Sequence, residues 1–218
     1  MAAKEASIME GPGAGEENLG VTNGKIGMWT FLVMDAMTFA GILAGYARIR
    51  WGSPADAPWP DPLDAFGVVG IQLTAFNTFV LICSSVFMVH VLAEQMRGNM
   101  EAAQKWLMAT IFGGMIFLGI QAFEWTHLII DKFGLVVLAG CNENFPATFY
   151  LLTGFHGLHV AVGVIYNTFL LVMMRRGKVT EEHTSTTEIA GLYWHFVDLV
   201  WILVFTFVYL IPVHPPGS

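Results

Sequence analysis

The chain has 218 residues, 55% of them hydrophobic and 12% charged, with a net charge of −7 and a mean hydropathy of +0.60. Soluble domains carry about 25% charged residues, so half that share, with the apolar residues in long runs, excludes an ordinary soluble fold and indicates a multi-pass membrane protein. The acidic residues lie largely near the N-terminus and in loops, and no nucleic-acid partner is expected. Cys83 falls in an apolar run and Cys141 in a loop, which excludes a disulfide framework.

The first stretch, "MAAKEASIMEGPGAGEENLG", has no apolar core. It reads as a flexible acidic tail over 1–22, neither a signal peptide nor a span. Five segments follow that are long enough to cross about 30 Å of hydrocarbon at about 1.5 Å per residue. They fall at roughly 26–47, 66–92, 106–130, 146–173 and 189–211, and a short tail covers 214–218. Within lipid only helices of this length satisfy their own backbone. The expected fold over 23–213 is therefore all-α, a bundle of five transmembrane helices.

The connections are polar or proline-rich. "RIRWGSPADAPWPDPLD" cannot continue a helix, because its prolines remove donors and clash with the preceding turn. "EQMRGNMEAAQK" and "RRGKVTEEHTSTTE" are charged connectors. Trp29, Trp51, Trp59, Trp106 and Trp125 stand near span ends, where an amphipathic ring favours the interface; for Trp125 interior packing is an equal alternative. With the N-terminus inside, Lys4, Lys25, Arg97, Lys105, Arg175, Arg176 and Lys178 fall on the inner side, and Arg48, Arg50 and Lys132 on the outer. Seven against three favours N-terminus inside and C-terminus outside.

No Lys or Arg lies within a span, but Asp35, Glu124 and Asp198 do. A carboxylate at membrane depth is costly and is a functional candidate by default. Asp35 lies near mid-membrane. It is either a protonated acid bonded to a neighbouring helix or a proton-handling group. Three i,i+3 pairs follow on three helices: Glu124 with His127, His156 with His159, and His195 with Asp198. Residues at this spacing share a helix surface, and the pattern invites comparison with a di-iron site. Such sites use two Glu-x-x-His motifs and two further glutamates; this chain has one motif and no second glutamate within a span, so no metal is expected. The alternative is a network in which histidine and carboxylate satisfy one another across helices, with His156 and His159 as partners for Glu124 and Asp198. Gly113, Gly114, Gly119, Gly154, Gly157 and Gly163 would allow the helices to approach closely. No nucleophile elbow, phosphate loop, dinucleotide fingerprint or zinc spacing appears, so the residues alone identify no catalytic site.

"FYLLTGFHGLHVAVGVIYN" followed by "YWHFVDLVWILVFTFVYL" resembles subunit III of the haem-copper terminal oxidases, the cytochrome c oxidases. "DAMTFAG", "FNT" (Phe76–Thr78) and "QAFEW" (Gln121–Trp125) resemble further motifs of that family, and the resemblance covers about 22–211. It implies an accessory subunit without redox centres of its own. The haems and coppers would belong to partner chains, subunits I and II, with subunit I packed directly against this one. It also implies support of proton uptake and of catalytic lifetime, bound phospholipid, and a place in the bacterial cytoplasmic membrane. Seven-span members add two spans that enclose a lipid cleft, and the match here begins at the third of their spans. Asp35 takes the place of the family's carbodiimide-reactive carboxylate, usually a glutamate. Five-span relatives also accompany quinol oxidases and nitric oxide reductases, which leaves the electron donor open.

Overall fold

A computed structural model describes residues 23–54, 56–133, 142 and 144–212, with backbone alone at 131–133. The expected tails over 1–22 and 214–218, Lys4 and Cys141 lie outside the described residues. Five long helices account for nearly all of the remainder: α1 (Asn23–Trp51), α2 (Pro62–Met96), α3 (Met100–His127), α4 (Asn144–Arg175) and α5 (Thr184–Phe205). A π-helical turn extends α3 over Leu128–Phe133, and another extends α5 over Thr206–Leu210. All five are long and apolar enough to span a membrane. Each expected span lies almost wholly within its helix, and most of the helices run several residues further at both ends. That is what happens when a helix extends from hydrocarbon into the polar interface.

Local chemistry sets the boundaries. Asp61 caps α2 by accepting from Leu63 N at 3.0 Å, and Pro62 opens the helix where its missing N–H is no loss. Gly67, at φ 73°, breaks the first turns of α2 with a kink that only glycine takes without strain. Between α2 and α3 the charged connector shrinks to a tight turn. Gly98 adopts φ 76°, and Asn99 caps α3 by accepting from Ala102 N at 3.2 Å. Gln95 Nε2 donates to Thr180 O at 2.7 Å and ties this turn to the α4–α5 connection.

In the bundle α2 packs on α3 and α5, α4 on α3 and α5, and α1 lies along α4 and α5. α1 is the least enclosed, burying only Leu32, Asp35, Phe39, Tyr46 and Arg50. Small residues bring the others together. The indole of Trp194 is wedged between α3 and α4: a Cβ on Gly114 would meet it at 2.6 Å and one on Gly163 at 2.8 Å. Its Nε1 donates to Ser84 Oγ at 3.1 Å, and Trp201 Nε1 donates to Thr78 Oγ1 at 2.9 Å. Gly119 differs from the other five glycines named above, since nothing lies within 4 Å of a Cβ placed there.

The end where α1 and α5 finish is clasped by Arg50. This buried guanidinium donates to Phe207 O at 2.7 Å and also to Ile211 O, covering the carbonyls that the last turn of α5 leaves open. Trp29 and Trp51 are exposed as an interfacial ring should be, but Trp59 is buried. It stands edge-on between Tyr46 and Phe145, so packing under the α1–α2 connection outweighs the interface there.

Candidate functional site

All three expected carboxylates are buried, each on a different helix and each answered differently. Asp35 on α1 meets α4: its Oδ2 lies 3.2 Å from His159 Nε2, a contact without a well-directed hydrogen bond. The other ring nitrogen fixes the protons of this pair. His159 Nδ1 lies 2.7 Å from Phe155 O. A carbonyl can only accept, so Nδ1 carries a hydrogen. A favourable contact at Nε2 then requires one further proton, held either by the Asp35 acid or by the imidazolium. A carboxylate facing a neutral Nε2 lone pair would repel it. Around the pair, Phe39 stands edge-on to the His159 ring at 5.2 Å, and Tyr193 OH donates to His159 O at 3.0 Å.

Glu124 on α3 meets hydroxyls instead of histidine. Tyr209 OH donates to its Oε2 at 3.2 Å, and Thr74 Oγ1 lies 2.9 Å from its Oε1. The Thr74 hydroxyl is also 2.9 Å from Gly70 O and has one hydrogen to give. A protonated Glu124 satisfies both contacts, donating to Thr74 while Thr74 donates back to Gly70. His127, its i,i+3 neighbour, is exposed and lines a shallow surface depression with Phe123, Thr126 and Ile130.

His156 is wholly buried, and neither ring nitrogen has a hydrogen-bond partner. Its ring lies 4.8 Å from Trp201 and edge-on to Phe117 at 5.6 Å. His195 and Asp198 on α5 both face Ser85 of α2. Ser85 Oγ is 2.6 Å from His195 Nδ1 and also lies against the Asp198 carboxyl, whose Oδ1 has no partner.

The expected network is thus corrected in its pairing. His159 turns to Asp35, His156 packs among aromatic rings, and Glu124 and Asp198 are met by hydroxyl groups. Three residues along a helix differ by about 60° around its axis, enough to turn Glu124 inward and His127 outward. Thr74, Ser85, Tyr193 and Tyr209 complete these contacts. For Thr74 and Ser85 the one sequence signal is the hydroxyl and amide content of the middle of α2, with Thr74, Asn77, Thr78, Ser84 and Ser85 all buried. Asn77 Nδ2 donates to Phe117 O at 3.2 Å, giving the "FNT" string a helix-joining part. Among the described residues no group of three or more His, Cys, Asp or Glu could hold a metal ion.

Five apolar helices with carboxyl, imidazole and hydroxyl groups at membrane depth define a multi-pass α-helical membrane protein. The chain belongs to the cytochrome c oxidase subunit III family, which it matches over residues 4–213. It is 34% identical over 192 residues to a cytochrome c oxidase subunit 3 of Alkalihalophilus pseudofirmus, covering 88% of each chain. To a cytochrome bo(3) ubiquinol oxidase subunit 3 of Pseudomonas putida it is 30% identical over 188 residues, covering 86% of each. A cytochrome c oxidase subunit 3 of Synechocystis is 36% identical over 190 residues, which are 85% of this chain and 74% of that one. The family is that of an accessory subunit in multi-subunit haem-copper oxidases.

Proposed function

We propose that this chain is the non-redox subunit III of a proton-pumping oxidase that passes electrons from cytochrome c to oxygen in a bacterial cytoplasmic membrane. The observation that carries this reading is the family match over nearly the whole length. In this reading the haems and coppers reside in subunits I and II, and subunit I packs directly on the bundle. Phospholipid covers the exposed face of α1, and the N-terminus lies inside, as the distribution of Lys and Arg favours. The Asp35–His159 pair holds one proton at membrane depth and supports proton uptake and the working lifetime of the complex. A quinol-fed oxidase is the second reading, favoured by the Pseudomonas putida relative.

Purification of the tagged full chain from native membranes, with mass spectrometry of what accompanies it, tests both. A copurifying subunit with a dinuclear copper domain supports cytochrome c as donor, and an oxidase subunit II lacking that domain supports quinol. Recovery of only a nitric oxide reductase core would overturn both.

A further inference from the structure

Away from Asp35, a cleft of about 350 Å³ opens between α1, α2 and the first turns of α5. Trp29, Met88 and Leu192 give it apolar walls, and its polar lining is Lys25, Glu188, Thr187 and His195. Lys25 and Glu188 form an ion pair across it. Both stand close to the starts of their helices, so this pair marks the mouth. Thr187 is buried, and its Oγ1 has no partner. The cleft is lined mostly by apolar side chains and is large enough for water, which would find its polar partners at the Lys25–Glu188 mouth and at His195. His195 lies seven residues beyond Glu188 along α5, about 10 Å deeper by the helical rise.

Below the cleft the polar groups continue in single file. His195 Nδ1 is 2.6 Å from Ser85 Oγ, and Ser85 lies against Asp198. Since Nδ1 is engaged with Ser85, Nε2 is the nitrogen left to exchange with the cleft. A side chain with one nitrogen on each side of a barrier is suited to proton transfer.

We propose that this cleft is a proton-exchange site in which His195 takes protons from water and passes them through Ser85 to Asp198. In the starting arrangement His195 Nδ1–H donates to Ser85 Oγ, and the Ser85 O–H donates to the Asp198 carboxylate. A proton from the cleft adds to Nε2. The Nδ1 proton then moves to Ser85 Oγ, whose own proton moves to Asp198. The end state has His195 neutral with hydrogen on Nε2, Ser85 donating to Nδ1, and Asp198 as the acid donating to Ser85. One proton leaves the water, one arrives on the carboxyl, and reversal releases it.

The test is infrared spectroscopy of the intact complex in lipid during exchange into D2O. It follows the protonated-carboxyl band that Asp198→Asn removes. Exchange of this band should slow about tenfold or more in both His195→Phe and Ser85→Ala, and recover in Ser85→Thr. Asp35→Ala should leave its rate unchanged, which separates this site from the Asp35–His159 pair. Exchange at the original rate in both His195→Phe and Ser85→Ala overturns the proposal. So does the absence of any band assignable to Asp198.

Discussion

Asp35 of α1 and His159 of α4 stand 3.2 Å apart, carboxyl to imidazole, and the Phe155 carbonyl on the far side of the ring leaves them one proton to share. Asp35→Ala is therefore expected to lower proton uptake or shorten the working lifetime of the complex without changing its haem content. His159→Ala should produce the same defect, and the double variant should be no worse than either single one. Groups in direct contact couple by about 0.5–3 kcal/mol. Turnover and inactivation rates of the three purified complexes check this, and strictly additive losses would show that the two residues act separately.

Glu124 joins Thr74 of α2 to Tyr209 at the end of α5. Glu124→Gln keeps a group of the same shape and should melt within about 1 kcal/mol of the parent, whereas Glu124→Ala leaves a buried Tyr209 hydroxyl unpaired, at a cost of about 1–3 kcal/mol. Thermal melting in detergent compares them. Tyr209→Phe in the Glu124→Ala background should recover part of the loss.

His156 makes the opposite case. Both nitrogens are buried without a partner, so the ring contributes packing while its polar atoms cost desolvation. His156→Met or His156→Leu is expected to leave stability unchanged or raise it by up to about 1 kcal/mol. A clear drop in the melting temperature of both would mean that the ring nitrogens are engaged in the assembled complex.

The wedge of Trp194 gives a matched pair of glycine substitutions. A Cβ at Gly163 would meet the indole at 2.8 Å, while at Gly119 it would meet nothing. Gly163→Ala should cost about 1–3 kcal/mol by overpacking, and Gly119→Ala should gain a few tenths from helix propensity. Equal effects in a melting assay would contradict the wedge.

The spans were legible because an uninterrupted apolar run of this length has one solution in lipid. The buried carboxylates were legible for the same reason, since a charge in such a run is conspicuous. Their partners were not, because spacing along one helix says nothing about which neighbour each residue meets. "HGLH" shows this best: His156 and His159 share a helix and a motif, yet one packs against Trp201 and the other turns to Asp35 on the first span. Hydroxyl residues leave a weak trace in sequence, as they satisfy their own helix backbone when nothing else needs them. Thr74 and Ser85 could therefore be read as neutral filler until α3 and α5 were placed beside them. Trp59 misled for another reason, since its connection folds back over Phe145 and leaves the interface.

The clasp made by Arg50 bears on how the chain is completed. The residue emerges early in synthesis, whereas its acceptors, Phe207 O and Ile211 O, follow 157 and 161 positions later. Until they arrive, a guanidinium waits at the end of the first helix with no carbonyl to receive it. A polypeptide released before Phe207 retains that unmatched charge, which is costly to bury, and is expected to be cleared by membrane proteases faster than the 218-residue chain. Pulse-chase comparison of the two lengths, each with Arg50→Leu alongside, would measure this. Arg50 thus makes the end of the first helix depend on the end of the fifth for its hydrogen bonds, so disturbing either end is expected to loosen both.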